Sequence, residues 1–400
     1  MKILFITLSR ITDLNNRGIY TDLMREFVKL GHKVYIACPS ERKFKQPTNI
    51  KDSSGVRILS IKTLNIQKTN VIEKGIGTLS LEYLFERAIK RYWGDIKFDL
   101  ILYSTPPITF NKVIKNIKKR CGARTYLLLK DIFPQNAVDL QMFSKRSIIY
   151  KMFRKKEETL YAISDKIGCM SPANVNYVIN NNPTVNPSKV EICPNSLELT
   201  QSIPLSAEQK KELKQRFGIS LNKTLFIYGG NLGKPQGIDF LIKTIAENER
   251  NDNSFIMVVG SGTEFGKIKA WFEKNKPNNA KLMSALPKAE YDNLIKTADV
   301  GLVFLDPRFT IPNYPSRLLS YLENKMPILA ATDVNTDIGS IAEENGYGFW
   351  CESGDTAQFM YYMDKLASNS AMRIQMGEAG YTFLLHNYQI KHTISKILNA

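Results

Sequence analysis

The sequence predicts an α/β protein made of two doubly wound domains, and three observations carry that expectation. Strand-like runs alternate with helical stretches through the first half, as βαβ units of a parallel sheet do. The same alternation restarts after a polar stretch near residue 199. The chain has 400 residues, 43% of them hydrophobic and 23% charged. That composition can bury a core in each half and is not that of a disordered chain.

In the first half the runs are Lys2 to Thr7, Lys33 to Cys38, Val56 to Ile61, Asp99 to Tyr103, Arg124 to Lys130, Lys166 to Met170 and Val190 to Cys193. The first helix is expected over Thr21 to Leu30, with Gly31-His32 as its stop. Pro194-Asn195-Ser196 reads as the entry to a linker, and Ser206 to Phe217 as a charged surface helix. The second half offers Thr224 to Tyr228, Ser254 to Val259, Ala280 to Ser284, Ala298 to Leu305 and Pro327 to Ala331. The expected domains are therefore 1–198 and 199–380, with a C-terminal helix in 381–400 packing back on the first. Such domains bind ligands beyond the C-terminal ends of their strands, so two facing each other are expected to form one cleft.

Several classes are excluded early. No apolar stretch approaches the ~20 residues that cross a bilayer, and Met1 to Thr7 runs into a strand without the features of a signal peptide. A cytoplasmic protein is expected. Five scattered cysteines without a CxxC pair argue against a disulfide framework or a zinc site, and three dispersed histidines against His-metal chemistry. The net charge of +17 is uneven: residues 1–198 hold 33 basic and 17 acidic side chains, residues 199–400 hold 22 and 21. An anionic partner is expected to meet the first half. No nucleic-acid-binding pattern is present, and the basic runs are interleaved with Ile, Leu and Phe, so an anionic membrane surface fits better than nucleic acid. Two segments with helical spacing sharpen this: Leu79, Leu81, Leu84, Phe85, Ala88, Ile89, Tyr92 and Trp93, and then Ile148, Ile149, Met152 and Phe153. Each suits an interfacial helix and equally a core-facing helix with a solvated basic face.

Candidate chemistry lies where strands end. Gly229-Gly230-Asn231-Leu232-Gly233-Lys234 follows a strand and precedes a helix expected from Ile238. Glycines admit a phosphate to the backbone and Lys234 adds charge, although a tight structural turn explains the glycines as well. Gly260-Ser261-Gly262 offers a second close approach or a plain turn. In Pro315-Ser316-Arg317, Pro315 suits the first helical position and Ser316 the satisfaction of free amides. Arg317 would then grip a diphosphate from the first turn, or make a surface salt bridge. In the first half, Arg17-Gly18 sits between a strand and its helix. Lys130-Asp131 ends another strand, where Asp131 is either a functional carboxylate or a helix cap. Arg17 and Lys130 are the basic candidates for an acceptor. No Asp-x-Asp occurs, so no chelated divalent ion and no other cofactor is expected.

In the order and spacing of short motifs the chain resembles the family-4 retaining glycosyltransferases of GT-B fold over nearly its whole length. The motifs are Gly18 with Leu30-Gly31-His32-Lys33-Val34, Cys193-Pro194-Asn195-Ser196, Gly230-Asn231-Leu232-Gly233 with Gln236-Gly237-Ile238-Asp239, Val259-Gly260-Ser261-Gly262, Ala298-Asp299-Val300-Gly301-Leu302 and Lys325-Met326-Pro327-Ile328-Leu329-Ala330. Asp131-Ile132-Phe133-Pro134 and Pro315-Ser316-Arg317 look most like the bacterial O-antigen and capsule branch, as in N-acetyl-L-fucosamine transferases. The resemblance implies a nucleotide sugar in the second domain. Its diphosphate would lie at Gly230, Asn231, Gly233, Lys234, Gly260 and Arg317, and its base at the backbone near Leu286. Pro315, Ser316 and Ser320 would line the donor, and Gly18 would approach the diphosphate from the first domain. Where many members carry Arg and Lys, this chain has Asn231 and Gln236. The family's paired glutamates fall on Pro312 and Ser320, which removes the usual ribose carboxylate.

The expected activity is metal-independent, retaining transfer of a sugar from a nucleotide diphosphate, UDP by branch, to a polyprenyl-diphosphate-linked saccharide, with the protein peripheral on the inner face of the plasma membrane. Lys234 and Arg317 would stabilise the leaving diphosphate, and Asp131 would orient or deprotonate the acceptor hydroxyl. The rivals are a nucleotide-sugar 2-epimerase of the same fold and a catalytically silent nucleotide-sugar-binding partner.

Overall fold

A computed structural model describes residues 1–66, 71–199 and 205–399. It divides into two compact units, 1–198 with 389–400, and 199–388. The first unit holds strands β1 (Lys2–Ile6), β2 (Lys33–Glu41), β3 (Asn49–Ser53), β4 (Val56–Thr63), β5 (Leu100–Ser104), β6 (Arg124–Leu129), β7 (Lys166–Cys169) and β8 (Val190–Ile192). They form one sheet in the order β3-β4-β2-β1-β5-β6-β7-β8, parallel except for β3. The second unit holds β9 (Thr224–Asn231), β10 (Ser254–Ser261), β11 (Ala280–Ser284), β12 (Val300–Phe304), β13 (Ile328–Thr332) and β14 (Gly348–Glu352). Their order β11-β10-β9-β12-β13-β14 is wholly parallel, as two successive mononucleotide-binding halves require.

Both faces of each sheet are covered, which is why the central strands read as apolar runs instead of alternating. In β1 the four residues after Lys2 are buried, and in β12 all five are. The helix Ile19–Lys29 ends as expected: Gly31 has φ 80° and His32 N–H donates to the Phe27 carbonyl at 3.0 Å. Ser206 and Gln209 make a reciprocal capping box on the helix Ala207–Arg216. Return to the first unit begins at Gln389, later than residue 381, because the helix Ser370–Asn387 belongs to the second unit. The final helix, Ile390–Asn399, then places Ile390, Ile394 and Ile397 in one core with Met24 and Phe27.

Sequence reasoning passed over β3 and β14. β3 is an exposed antiparallel edge without an apolar pattern, and β14 is a short strand opened by a glycine. It also ended β9 and β10 too early. Gly230 pairs with Gly260 and Asn231 with Ser261. A Cβ at Gly260 would stand 1.9 Å from the Gly230 carbonyl oxygen, so backbone lies directly on backbone and only glycine fits there.

The two amphipathic segments separate clearly. In the helix Val71–Trp93, Leu81, Phe85, Ala88, Ile89 and Trp93 are buried, and Trp93 packs edge-on against Tyr35. That stripe is core and not membrane-facing; among the described residues of the helix, Ile76, Leu79, Tyr83 and Tyr92 are the exposed large apolar side chains. The helix Ile148–Ile163 behaves otherwise. Ile148 is 85% exposed, Ile149 52% and Met152 40%, with Met142 at 61% just before it. Exposed Lys145, Arg146, Lys151 and Lys155 surround them.

Candidate functional site

In the second unit the strand order reverses between β9 and β12, the position where open parallel sheets bind ligands. β9 ends there in Gly229, Gly230 and Asn231, of which the last two are exposed. The chain continues through one 3-10 turn, Lys234–Gln236, to the helix Ile238–Asn248. Gly237 joins them with φ 55°, and a Cβ there would lie 2.7 Å from the Leu305 carbonyl beyond β12. The helix therefore starts flush with the sheet end. Asn231 and Lys234 face solvent, and Gly233 is buried between them.

Arg317 opens the short helix Arg317–Glu323. Pro315 lies outside the helix, not at its first position, and Ser316 precedes it without capping an amide. The arginine is held instead by side chains. Its Nη2 donates to Gln236 Oε1 at 2.5 Å, and its guanidinium carbon lies 4.2 Å from the centre of the Tyr228 ring. A Cβ at Gly230 would be 3.8 Å from that same Nη2, so the guanidinium lies over the end of β9. Nη1 is buried and has no hydrogen-bond partner. A buried donor left unpaired costs about 1–3 kcal/mol, which an arriving acceptor can return. Ser320 stands one turn further along and is part-buried, and Leu286 lies in the loop after β11. Gly260 serves backbone packing, as described above.

Tyr228, Tyr291 and Gln236 went unrecognised as neighbours of Arg317. Tyr228 ends the strand expected just before the glycine motif, but nothing in the sequence tied Tyr291, on the helix Lys288–Ile295, to it. The steric sign is structural: a Cβ at Gly229 would collide with the Tyr291 hydroxyl at 1.9 Å.

In the first unit Asp131 follows β6. Both its oxygens accept from the Asn136 carboxamide, at 2.8 and 2.9 Å, and its backbone N–H donates to Thr105 Oγ1. Burial raises the carboxyl to about 6, against the lowering effect of the Asn136 hydrogen bond. Asn136 Oδ1 is buried and unpartnered. Lys130 Nζ donates to the Cys193 carbonyl at 3.1 Å, and burial lowers the amine to about 8. It thus ties β6 to the Pro194-Asn195 turn. Arg17 Nη2 donates to the Glu198 carbonyl at 2.8 Å, and Gly18 N–H to Asp22 at 3.0 Å. Glu198 is further held by Lys29 and Arg25, which lower its pKa. The Arg17-Gly18 turn is therefore fastened to the chain leaving this unit. Phe133 connects Asp131 to the exposed helix: its ring packs 5.0 Å from Phe153 and 6.2 Å from Phe143.

Among the described residues no group of three His, Cys, Asp or Glu side chains stands together, and no helix is long and apolar enough to cross a membrane.

Residues 209–383, which contain β9 to β14 and Arg317, match the family model of glycosyl transferases group 1. The protein is a glycosyltransferase. It is 22% identical over 302 residues to the probable glycosyltransferase WbjE of Pseudomonas aeruginosa, covering 75% of this chain and 73% of that one. It is also 22% identical over 359 residues to the putative colanic acid biosynthesis glycosyl transferase WcaI of Escherichia coli K12, covering 86% of each. Among solved structures, HepE of Anabaena in complex with UDP matches with a TM-score of 0.70 and 14% identity, over 100% of this chain and 99% of that one. The fold of this glycosyltransferase is thus GT-B, with two Rossmann-like domains.

Proposed function

We propose that this glycosyltransferase moves a sugar, with retention, from a UDP-sugar to a polyprenyl-diphosphate-linked saccharide in bacterial cell-surface polysaccharide synthesis. The observation that carries the donor half is Arg317: a guanidinium at the end of β9 with Nη1 unpartnered, at the strand-order reversal. The UDP of HepE and the polysaccharide role in WcaI's name support the same reading. On it, Arg317 and Lys234 stabilise the departing diphosphate electrostatically, and Asp131 takes the acceptor's proton. The test is a thermal-shift series with UDP, GDP and their sugars. UDP at 100 times its dissociation constant adds ~2.7 kcal/mol of stability; a protein stabilised by neither UDP nor a UDP-sugar overturns the donor assignment.

The chemistry assigned needs no metal, because the cations of Arg317 and Lys234 meet the leaving group. Activity is expected to survive dialysis against EDTA. Loss on chelation with recovery in manganese or magnesium overturns the metal-free route.

The acceptor half rests on the helix Ile148–Ile163. Its exposed Ile148, Ile149 and Met152 among four cations suit the headgroup region of an anionic leaflet, and Phe133 links that face to Asp131. With Lys391 and Lys396 added by the C-terminal return, the first unit carries +18 and the second −1 of the net +17. Binding to acidic vesicles is expected at low salt, weakening as the Debye length falls from ~10 Å at 0.1 M to ~3 Å at 1 M. Replacing Lys145, Arg146 and Lys151 with Gln shifts half-binding by about 3 kcal/mol at most, near 1 kcal/mol per charge. Ile149→Ser with Met152→Ser weakens binding without unfolding the protein. A wild type indifferent to acidic vesicles overturns the membrane reading.

A further inference from the structure

Arg317 brings a permanent charge into surroundings that return none. The Tyr228 ring lies against it, and the phenols of Tyr228, Tyr291 and Tyr321 are all pushed up by burial, Tyr291 to about 12. They stay neutral at any working pH. No carboxylate pairs with the guanidinium among the described residues. Its Nη2 donates to a carboxamide, Gln236 Oε1. Gln236 is itself fixed: it leads into the αL residue Gly237, and Oε1 also lies 3.2 Å from the Tyr228 hydroxyl, which stands 2.7 Å from the Asn231 carbonyl. The acceptor that aims Arg317 is thus anchored to the end of β9 by the same tyrosine whose ring the guanidinium covers.

We propose that Gln236 is a positioning residue whose neutrality sets the anion affinity of the site: it aims Arg317 over the end of β9 while leaving the charge unspent for the donor's diphosphate. A glutamate at 236 has the same length and makes a stronger bond to arginine, but it neutralises the cation before any ligand arrives. Geometry and charge can therefore be separated at one position. The inference rests on the donor-site reading and extends it to the residue behind the arginine.

The test compares wild type, Gln236→Glu and Gln236→Leu by titration with UDP and with uridine, alongside thermal unfolding. In Gln236→Glu the melting temperature rises and uridine binding is unchanged, while UDP binding weakens by roughly 10- to 100-fold and loses much of its salt dependence. Gln236→Leu lowers the melting temperature and weakens UDP less. A glutamine with a purely structural role predicts that Gln236→Glu binds UDP as wild type does, and that result overturns the proposal alone. A wild type that binds no UDP overturns the donor-site reading and this proposal together.

Discussion

Arg317→Ala is expected to lower donor-dependent turnover by about 30- to 1,000-fold, the 2–4 kcal/mol lost with one preorganised charge donor. Its effect on stability has the opposite character. The substitution removes a cation that has no counter-charge among the described residues and whose Nη1 is buried unpaired, so desolvation cost disappears along with the contact to the Tyr228 ring. The two changes are of similar size, roughly 1–2 kcal/mol each, and the melting temperature should barely move. UDP binding should fall while uridine binding stays. Arg317→Lys restores the charge without the planar fork, and is expected to recover affinity in part but not the full rate. Turnover unchanged in Arg317→Ala removes the residue from the site.

The legible part of the fold was the part with one solution. Buried parallel strands must be apolar on both faces, so the runs at β1, β5, β6, β9 and β12 announced themselves, and Gly31 ended the first helix because few other residues accept φ 80°. Segments whose composition has two physical solutions were not legible. Leu81, Phe85, Ala88, Ile89 and Trp93 have the spacing of an interfacial helix and of a core helix alike; only Tyr35 and Phe98, brought from other elements, decide for the core. Glycines at 229, 230 and 260 fit phosphate approach and strand-on-strand packing, and the structure uses Gly260 for packing. Arg317 could be chosen by its residue type, but its acceptor lies 81 positions away, and no local pattern announces such a pair. Lys130, adjacent to Asp131, looked like an acceptor cation; the carbonyl that accepts its hydrogen bond belongs to Cys193, two βαβ crossovers away.

Asp131→Asn tests the acceptor end, and its two readouts move in opposite directions. As a base, Asp131 must be ionised, and burial puts its carboxyl at about 6. Acceptor-dependent kcat/KM should therefore fall about tenfold per pH unit below 6 in the wild type. In Asp131→Asn the rate falls by roughly 10²- to 10⁴-fold and this acid limb disappears. For stability, a carboxyl raised above its unfolded value of 3.8 contributes fully below that value and loses its contribution as pH rises through 6. The ionised carboxylate thus costs the folded protein at neutral pH, by an upper bound of about 3 kcal/mol. The amide has no such cost and still accepts from Asn136, so Asp131→Asn should melt higher than wild type at pH 7 to 8, with the gap closing toward pH 4. A carboxylate retained against folding stability is what a catalytic position requires. If the variant keeps the acid limb, another group carries it; if it melts lower than wild type at pH 8, Asp131 is a structural partner of Asn136 and Thr105 and not a base.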